Sequence, residues 1–248
     1  MNRIDFMNIH IDNLTMGEAL EQISYLTGNT RQSYVVTPNV DHLVKLQKDD
    51  EFLEIYKNAS LVLTDGQPLI WISKLYRTPI KEKISGSDLF PEVCKLAADK
   101  GYKMFFLGAA EGVADAAAKK LTAKYPELRI VGTLSPKMGF ENDSNEIRRV
   151  IETVRVTSPD ILVVALGAPK QEKFLYRNKK SLDVPLSLLV GAALDFEAGN
   201  VKRAPAWMSR NGLEWFYRFC KEPGRMFRRY FIDDMKILGL IWKYRPVK

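Results

Sequence analysis

Five short apolar runs without polar alternation constrain this chain more than any other feature. They are Ser33-Tyr34-Val35-Val36-Thr37, Leu61-Val62-Leu63-Thr64, Met104-Phe105-Phe106-Leu107, Ile161-Leu162-Val163-Val164-Ala165 and Leu186-Ser187-Leu188-Leu189-Val190. Each has the length of a strand, and a strand with no polar face is covered on both sides. Amphipathic stretches at Met16 to Leu26, Ala114 to Tyr125 and Asn145 to Val154 fall between them and supply helices. The pattern predicts an α/β protein, a Rossmann-like and mostly parallel sheet with helices on both faces. A length of 248 residues suits one such domain with a short appendage, and an apolar fraction of 46% fills its core.

Charge divides the chain. Residues 201–248 hold twelve Lys and Arg against four Asp and Glu, whereas the preceding 200 residues carry a net charge of minus one. This predicts a near-neutral α/β catalytic domain over 1–200 and a basic, aromatic-rich helical appendage over 201–248. Such a tail implies an anionic surface or substrate as partner. The two cysteines, Cys94 and Cys220, form neither a disulfide framework nor a metal knuckle and suit a reducing, cytoplasmic compartment. The start of the chain has no apolar stretch of the signal-peptide kind, and no apolar run is long enough to span a bilayer.

Ligands of open α/β sheets bind beyond the carboxyl ends of the strands, so the residues after each run are the ones to read for chemistry. Thr37 and Asn39 follow the first run. Asp65, followed by Gly66, ends the second and can act either as a general base or as an N-cap for a helix starting near Gln67-Pro68. Lys83 precedes Gly86-Ser87-Asp88-Leu89, where Ser87 or Asp88 would cap a helix. Lys83 itself reads either as a pyrophosphate partner or as a solvated surface charge. Gly108 to Gly112 follows the third run and is either a phosphate-approaching loop or an ordinary strand-to-helix turn. Gln171 in Pro169-Lys170-Gln171-Glu172 is a sugar ligand or simply a first-turn helix residue, and Asp195 follows the last run.

Several chemistries find no support. His10 and His42 are the only histidines and belong to no ligand cluster, and no D-x-D flanked by apolar strand residues is present. Neither cysteine follows a strand, and no G-x-S-x-G elbow occurs. Neither metal nor cofactor is therefore expected. In the tail, Trp207, Trp215, Phe216, Tyr217, Phe219, Phe227, Tyr230, Phe231, Trp242 and Tyr244 lie among arginines. That composition suits a membrane interface, stacked nucleic-acid bases, or plain packing on the body. Glu222-Pro223-Gly224 is expected to break the helix between Arg218 and the Arg225, Arg228 and Arg229 group.

Taken together, the segments resemble the WecG/TagA/CpsF family of bacterial glycosyltransferases. The likeness is carried by Thr37-Pro38-Asn39, Thr64-Asp65-Gly66, Gly86-Ser87-Asp88-Leu89, Gly167-Ala168-Pro169-Lys170-Gln171-Glu172, Asp195-Phe196-Glu197-Ala198-Gly199 and Lys202-Arg203-Ala204-Pro205. It continues through Gly212-Leu213-Glu214-Trp215 and Glu222-Pro223 to Arg228-Arg229-Tyr230. The family pattern carries arginine where this chain has Lys83, which keeps the charge without the bidentate fork.

The resemblance implies an inverting, metal-independent transfer of N-acetylmannosamine from UDP-N-acetylmannosamine to undecaprenyl-diphosphate-linked N-acetylglucosamine, as in wall teichoic acid linkage-unit synthesis. It implies Asp65 as base. It implies Thr37, Asn39, Lys83, Gly108, Gln171, Asp195, Arg218, Arg225 and Arg228 as substrate-binding residues. It also places the enzyme peripherally on the inner face of the cell membrane, docked through its tail, with no nucleic-acid partner. An apolar patch on the tail would also serve a homo-oligomer. The rival readings are the same family with another donor (UDP-N-acetylmannosaminuronic acid or UDP-glucose), a nucleic-acid-binding module built on the tail, and a nicotinamide-dependent dehydrogenase. The Gly108 loop lacks the dinucleotide fingerprint needed for the last of these.

Overall fold

The unalternating runs meet as five neighbouring strands of one parallel sheet. The computed structural model describes residues 3–29, 32–205, 208, 214–221 and 223–246. The chain opens with an antiparallel hairpin of β1 (Arg3–Phe6) and β2 (Ile9–Asp12). The sheet is built from β3 (Ser33–Val36), β4 (Leu61–Val62), β5 (Lys103–Gly108), β6 (Arg129–Leu134), β7 (Ile161–Ala165) and β8 (Leu186–Leu189). Their order is β4-β3-β8-β7-β5-β6, and every pairing is parallel.

Successive side chains on these strands enter opposite layers. Tyr34, Val36, Val62, Phe105, Leu107, Leu162 and Val164 join one hydrophobic cluster. Val35, Leu61, Met104, Phe106, Ile161, Val163 and Leu188 join the other. That two-sided burial is why the runs show no polar alternation, and each buried large side chain contributes roughly 1.5–3 kcal/mol. The first layer is covered by α2 (Val40–Lys45), α3 (Asp50–Lys57), α4 (Gln67–Leu75), α7 (Ser144–Thr157) and α8 (Lys170–Leu182). The second is covered by α1 (Met16–Thr27), α5 (Gly86–Lys100), α6 (Val113–Lys124) and α9 (Ala193–Ala198).

Two strand elements go beyond the sequence-based expectation. The β1–β2 hairpin is fastened to the sheet by Asp12, which takes Arg3 Nε at 2.8 Å and the Val62 N–H at 2.9 Å. β6 forms the far edge of the sheet, and its residues are only half-buried or exposed.

The C-terminal part is helical: α10 (Glu214–Lys221), α11 (Pro223–Arg228), a π turn (Arg229–Asp233), a 3-10 turn (Asp234–Lys236) and α12 (Ile237–Lys243). α11 begins on Pro223, a position where its missing N–H costs nothing. α12 is seated on the body. The Tyr76 hydroxyl donates to the Ile241 carbonyl at 3.1 Å, and the Tyr244 hydroxyl donates to Gln47 Oε1 at 2.9 Å. Ile237, Ile241 and Tyr244 pack on the first layer. Trp207, Gly212, Leu213, Glu222 and the side chains of Glu214, Arg218, Arg225 and Arg229 lie outside the described residues. Among the described residues no helix is long and apolar enough to cross a membrane.

Candidate active site

The chain leaves β3 toward α2 on one face and leaves β8 toward α9 on the other, so a crevice opens where the two loops part. A cleft of about 820 Å³ occupies it. Thr37 and Asn39 enter from the end of β3, Asp65 from the end of β4, Gly86 and Ser87 from α5, Gln171 from the first turn of α8, and Gly191 from the loop after β8. Five of the expected site residues or segments therefore converge: Thr37, Asn39, Asp65, the Gly86-Ser87 turn and Gln171.

Asp65 is not a cap. The N-cap of α4 is Gly66, at φ +99°, with Pro68 in the first turn and no side-chain cap hydrogen bond. The Asp65 N–H donates to the Pro38 carbonyl at 2.9 Å, which ties the end of β4 to the loop after β3 and sets the carboxylate on the cleft wall. Asn39 has two duties. Its Oδ1 accepts the His42 N–H at 3.2 Å as N-cap of α2, and the residue lines the cleft.

α5 begins two to three residues earlier than its sequence suggests. Its N-cap is Ser85, whose Oγ accepts the Asp88 N–H at 3.1 Å, rather than Ser87 or Asp88. The start of this fifteen-residue helix faces the cleft, and its free N–H groups and dipole favour an anion there. Asp88 is a hub behind that turn. It accepts from Lys83 Nζ at 2.8 Å, from Ser85 Oγ at 2.7 Å and from Arg203 Nη2. Burial pushes its carboxyl up, but the bonds and charges of Lys83, Ser85 and Arg203 prevail and hold it below the ordinary range. Lys83 thus stands one contact behind the cleft rather than on its wall. Arg203 also donates to Ser87 Oγ at 3.2 Å and lies over the Phe196 ring, fastening the start of the tail beside the cleft.

Gln171 and Glu172 occupy the first turn of α8, just after the cis Ala168–Pro169 peptide. Gln171 Nε2 donates to Glu172 Oε1 at 2.9 Å, and the Gly191 N–H donates to Gln171 Oε1 at 3.2 Å. Burial raises the Glu172 carboxyl to about 7.

Other cleft residues were not singled out by sequence. His42 lines it, with ring Nδ1 hydrogen-bonded to the buried Tyr56 hydroxyl at 2.7 Å. Lys45, Lys48 and Lys236 bring cations, the first paired with Asp41 at 2.7 Å and the last with Asp233 at 2.8 Å. Lysines of this kind read as surface charge until the fold brings them to the cleft, where they remain partly or largely exposed.

The remaining expected residues lie elsewhere. Gly108 ends β5 at φ +117°, and a Cβ there would meet the Ala165 carbonyl oxygen at 2.4 Å. Its role in the fold is close strand approach, and it does not line this cleft. Asp195 sits half-buried in α9, its carboxyl raised by burial, beside the cleft residue Phe196. Arg228 is exposed and is not on the cleft wall. Among the described residues no group of three or more His, Cys, Asp and Glu could hold a metal ion.

An open parallel sheet whose crevice joins a strand-end carboxylate, a long helix's N-terminus and a mixed set of lysines and aspartates is the architecture of an α/β enzyme. The chain belongs to the glycosyl transferase WecG/TagA/CpsF family, whose model matches residues 4–248. It is similar to the N-acetylglucosaminyldiphosphoundecaprenol N-acetyl-beta-D-mannosaminyltransferase of Bacillus subtilis (strain 168), 33% identical over 78% of this chain and 73% of the relative. Identically named relatives are 29% identical in Bacillus spizizenii, over 91% of this chain and 84% of the relative, and 28% identical in Staphylococcus aureus (strain NCTC 8325 / PS 47), over 87% and 84%.

Proposed function

We propose that this glycosyltransferase moves N-acetylmannosamine from UDP-N-acetylmannosamine to undecaprenyl-diphosphate-linked N-acetylglucosamine, forming the wall teichoic acid linkage unit. The observation that carries the reading is the family's substrate chemistry, named for relatives aligned over most of the chain, meeting a crevice with Asp65 on its wall.

The acceptor hydroxyl oxygen attacks the anomeric carbon on the face opposite UDP. The bond from that carbon to the diphosphate oxygen breaks, UDP leaves with the electron pair, and configuration inverts. Asp65 accepts the hydroxyl proton as the new bond forms. The leaving diphosphate lies against the N-terminus of α5, supported by Lys83 through the Asp88 hub and by Lys45, Lys48 and Lys236. Thr37, Asn39 and Gln171 orient the sugars, with Asp195, beside the cleft residue Phe196, as an outlying contributor. No metal enters this scheme. Arg218, Arg225 and Arg228 would complete the site only once the tail is seated on the membrane.

Residues 201–248 act as the membrane-docking appendage and hold the enzyme peripherally at the cytoplasmic face. Exposed Phe227, Phe231, Ile232, Leu238 and Trp242 accompany Lys243 and Arg245 there. The Arg245 guanidinium stacks 3.5 Å from the Trp242 ring centroid, a pairing suited to the headgroup level.

The test is incubation with a synthetic prenyl-diphosphate N-acetylglucosamine and a panel of UDP-sugars, with a chelator present and products read by mass. One added N-acetylhexosamine from UDP-N-acetylmannosamine is expected. Product only from UDP-N-acetylmannosaminuronic acid or UDP-glucose would reassign the donor. Strict dependence on magnesium or manganese would remove the metal-free scheme.

A further inference from the structure

Gln171 is 3% exposed, yet it lines the cleft, so few of its hydrogen-bonding positions remain uncommitted. A glutamine amide has two N–H donors and an oxygen with two lone pairs. The Gly191 backbone N–H, 3.2 Å away, can only donate, so the oxygen must face it. Glu172 Oε1, 2.9 Å from Nε2, takes one of the two N–H groups. A flipped amide would set N–H against N–H at Gly191 and oxygen against oxygen at Glu172. The amide is therefore held in one orientation from both sides, and one N–H and one oxygen lone pair remain, the N–H being its one uncommitted donor for whatever enters the cleft.

Glu172 itself is 1% exposed and does not line the cleft, and its Oε2 has no hydrogen-bond partner. Burying a carboxyl with one partner is costly, and an apolar side chain of that size would pack there at lower cost. Lys45 and Asp41 on α2 act on it in opposite senses, and it in turn raises the buried Tyr56 hydroxyl on α3. Burial is nevertheless its largest influence. Its one side-chain hydrogen-bond partner is the Gln171 amide, a bond that a leucine could not make.

We propose that Glu172 is a positioning residue: with the Gly191 amide on the other side, it fixes Gln171 so that one N–H donor points at an acceptor oxygen of the bound sugar. This deepens the glycosyl-transfer reading and rests on it. The sugar contact is Gln171's alone, and Glu172 acts only through it.

Four proteins test this: the wild type, Glu172→Leu, Glu172→Gln and the exchanged pair Gln171→Glu/Glu172→Gln. Each is measured at pH 8.5 for thermal midpoint, UDP affinity and steady-state turnover. In Glu172→Gln the new amide oxygen still accepts from Gln171, so kcat/KM stays within about threefold of wild type. In Glu172→Leu it falls about tenfold, with UDP affinity retained because the proposed scheme gives Gln171 to the sugar and not to the nucleotide. The exchanged pair is the discriminating case. The amide at 172 donates to the carboxylate at 171, and the Gly191 N–H still donates to that carboxylate, so the internal chain survives. The cleft, however, now meets oxygen in place of N–H. The thermal midpoint and UDP affinity should stay near wild type while kcat/KM falls at least tenfold. An exchanged pair with wild-type turnover, or an unimpaired Glu172→Leu, overturns the positioning role. Should Glu172→Leu fail to fold, the exchanged pair and Glu172→Gln decide alone. A wild type inactive with every UDP-sugar sinks the glycosyl-transfer reading and this proposal with it, whereas an active wild type with an active exchanged pair sinks the proposal only.

Discussion

Gly86 lies directly against Val190: a Cβ at Gly86 would stand 3.0 Å from the Val190 Cα and 3.1 Å from its carbonyl oxygen. The same Cβ would lie 3.3 Å from Thr37 Oγ1. Absence of a side chain is thus what lets the start of α5 reach the ends of β3 and β8, where its N–H groups can meet a diphosphate. Gly86→Ala is expected to push the helix away from Val190, with a stability loss of about 1–3 kcal/mol from overpacking. UDP affinity should fall more than the thermal midpoint alone would suggest. Denaturant titration together with calorimetric UDP binding checks this, and an alanine variant with wild-type UDP affinity would separate the helix start from the diphosphate.

Asp65 stands at the end of β4 with its N–H bonded to Pro38 and a glycine cap behind it, so its carboxylate is not needed to start α4. Asp65→Asn keeps shape and removes the proton acceptor. Turnover should fall about 10²–10⁴-fold, the usual range for a lost general base, with UDP affinity and thermal midpoint little changed. Turnover within a few-fold of wild type would end the base assignment.

What the sequence reveals here follows from burial. β3, β5, β7 and β8 are readable because both faces are covered, which strips them of polar residues. The hairpin and β6 are not readable. Arg3, Asp5 and Arg129 are exposed, and Gly132 in β6 is there for close packing, since a Cβ would meet the Phe105 ring at 2.5 Å. At the site, Asp65 and Gln171 are readable as polar residues at strand ends. The rivalry between base and cap at Asp65 is not resolvable until Gly66 is seen to be the N-cap. Arg203 is hidden because its partner Asp88 lies 115 residues earlier, and no local pattern records that pairing. Lys45, Lys48 and Lys236 are hidden because a lysine's default place is the surface.

Glu172 also makes a prediction about stability and pH. Its carboxyl titrates at about 7 in the fold, against 4.5 for a free glutamate, because burial disfavours its charge. Between these values the folded chain holds the proton more tightly than the unfolded chain does. The contribution is therefore fully present below pH 4.5 and is lost as pH rises through 7, a decline of roughly 3 kcal/mol. Glu172→Gln, which cannot ionise, should flatten that part of the profile and gain relative to wild type above pH 7. Denaturant midpoints measured from pH 5 to pH 8.5 on both proteins give the comparison, and parallel curves would show that Glu172 does not titrate in this range.

The seat of α12 separates docking from catalysis. Tyr76 and Gln47 hold one side of the helix, and Ile237 and Ile241 pack inward. Leu238 and Trp242, one turn apart on the other side, are 55% and 67% exposed. With Lys243 and Arg245 beside them, these are the side chains that would enter an anionic headgroup layer in the docking proposed above. Burying each would contribute on the order of 1.5–3 kcal/mol, so Leu238→Ser/Trp242→Ser should weaken binding to phosphatidylglycerol vesicles at least tenfold. UDP affinity should be retained, and so should turnover of a short, water-soluble prenyl acceptor, because neither residue faces the cleft. Raising salt should weaken the wild type on the same vesicles by screening the basic residues, and the effect should vanish on neutral vesicles. Unchanged vesicle binding by the double variant would move the docking surface off α12, and equal loss of soluble-acceptor turnover would show that the helix acts on the active site rather than on lipid.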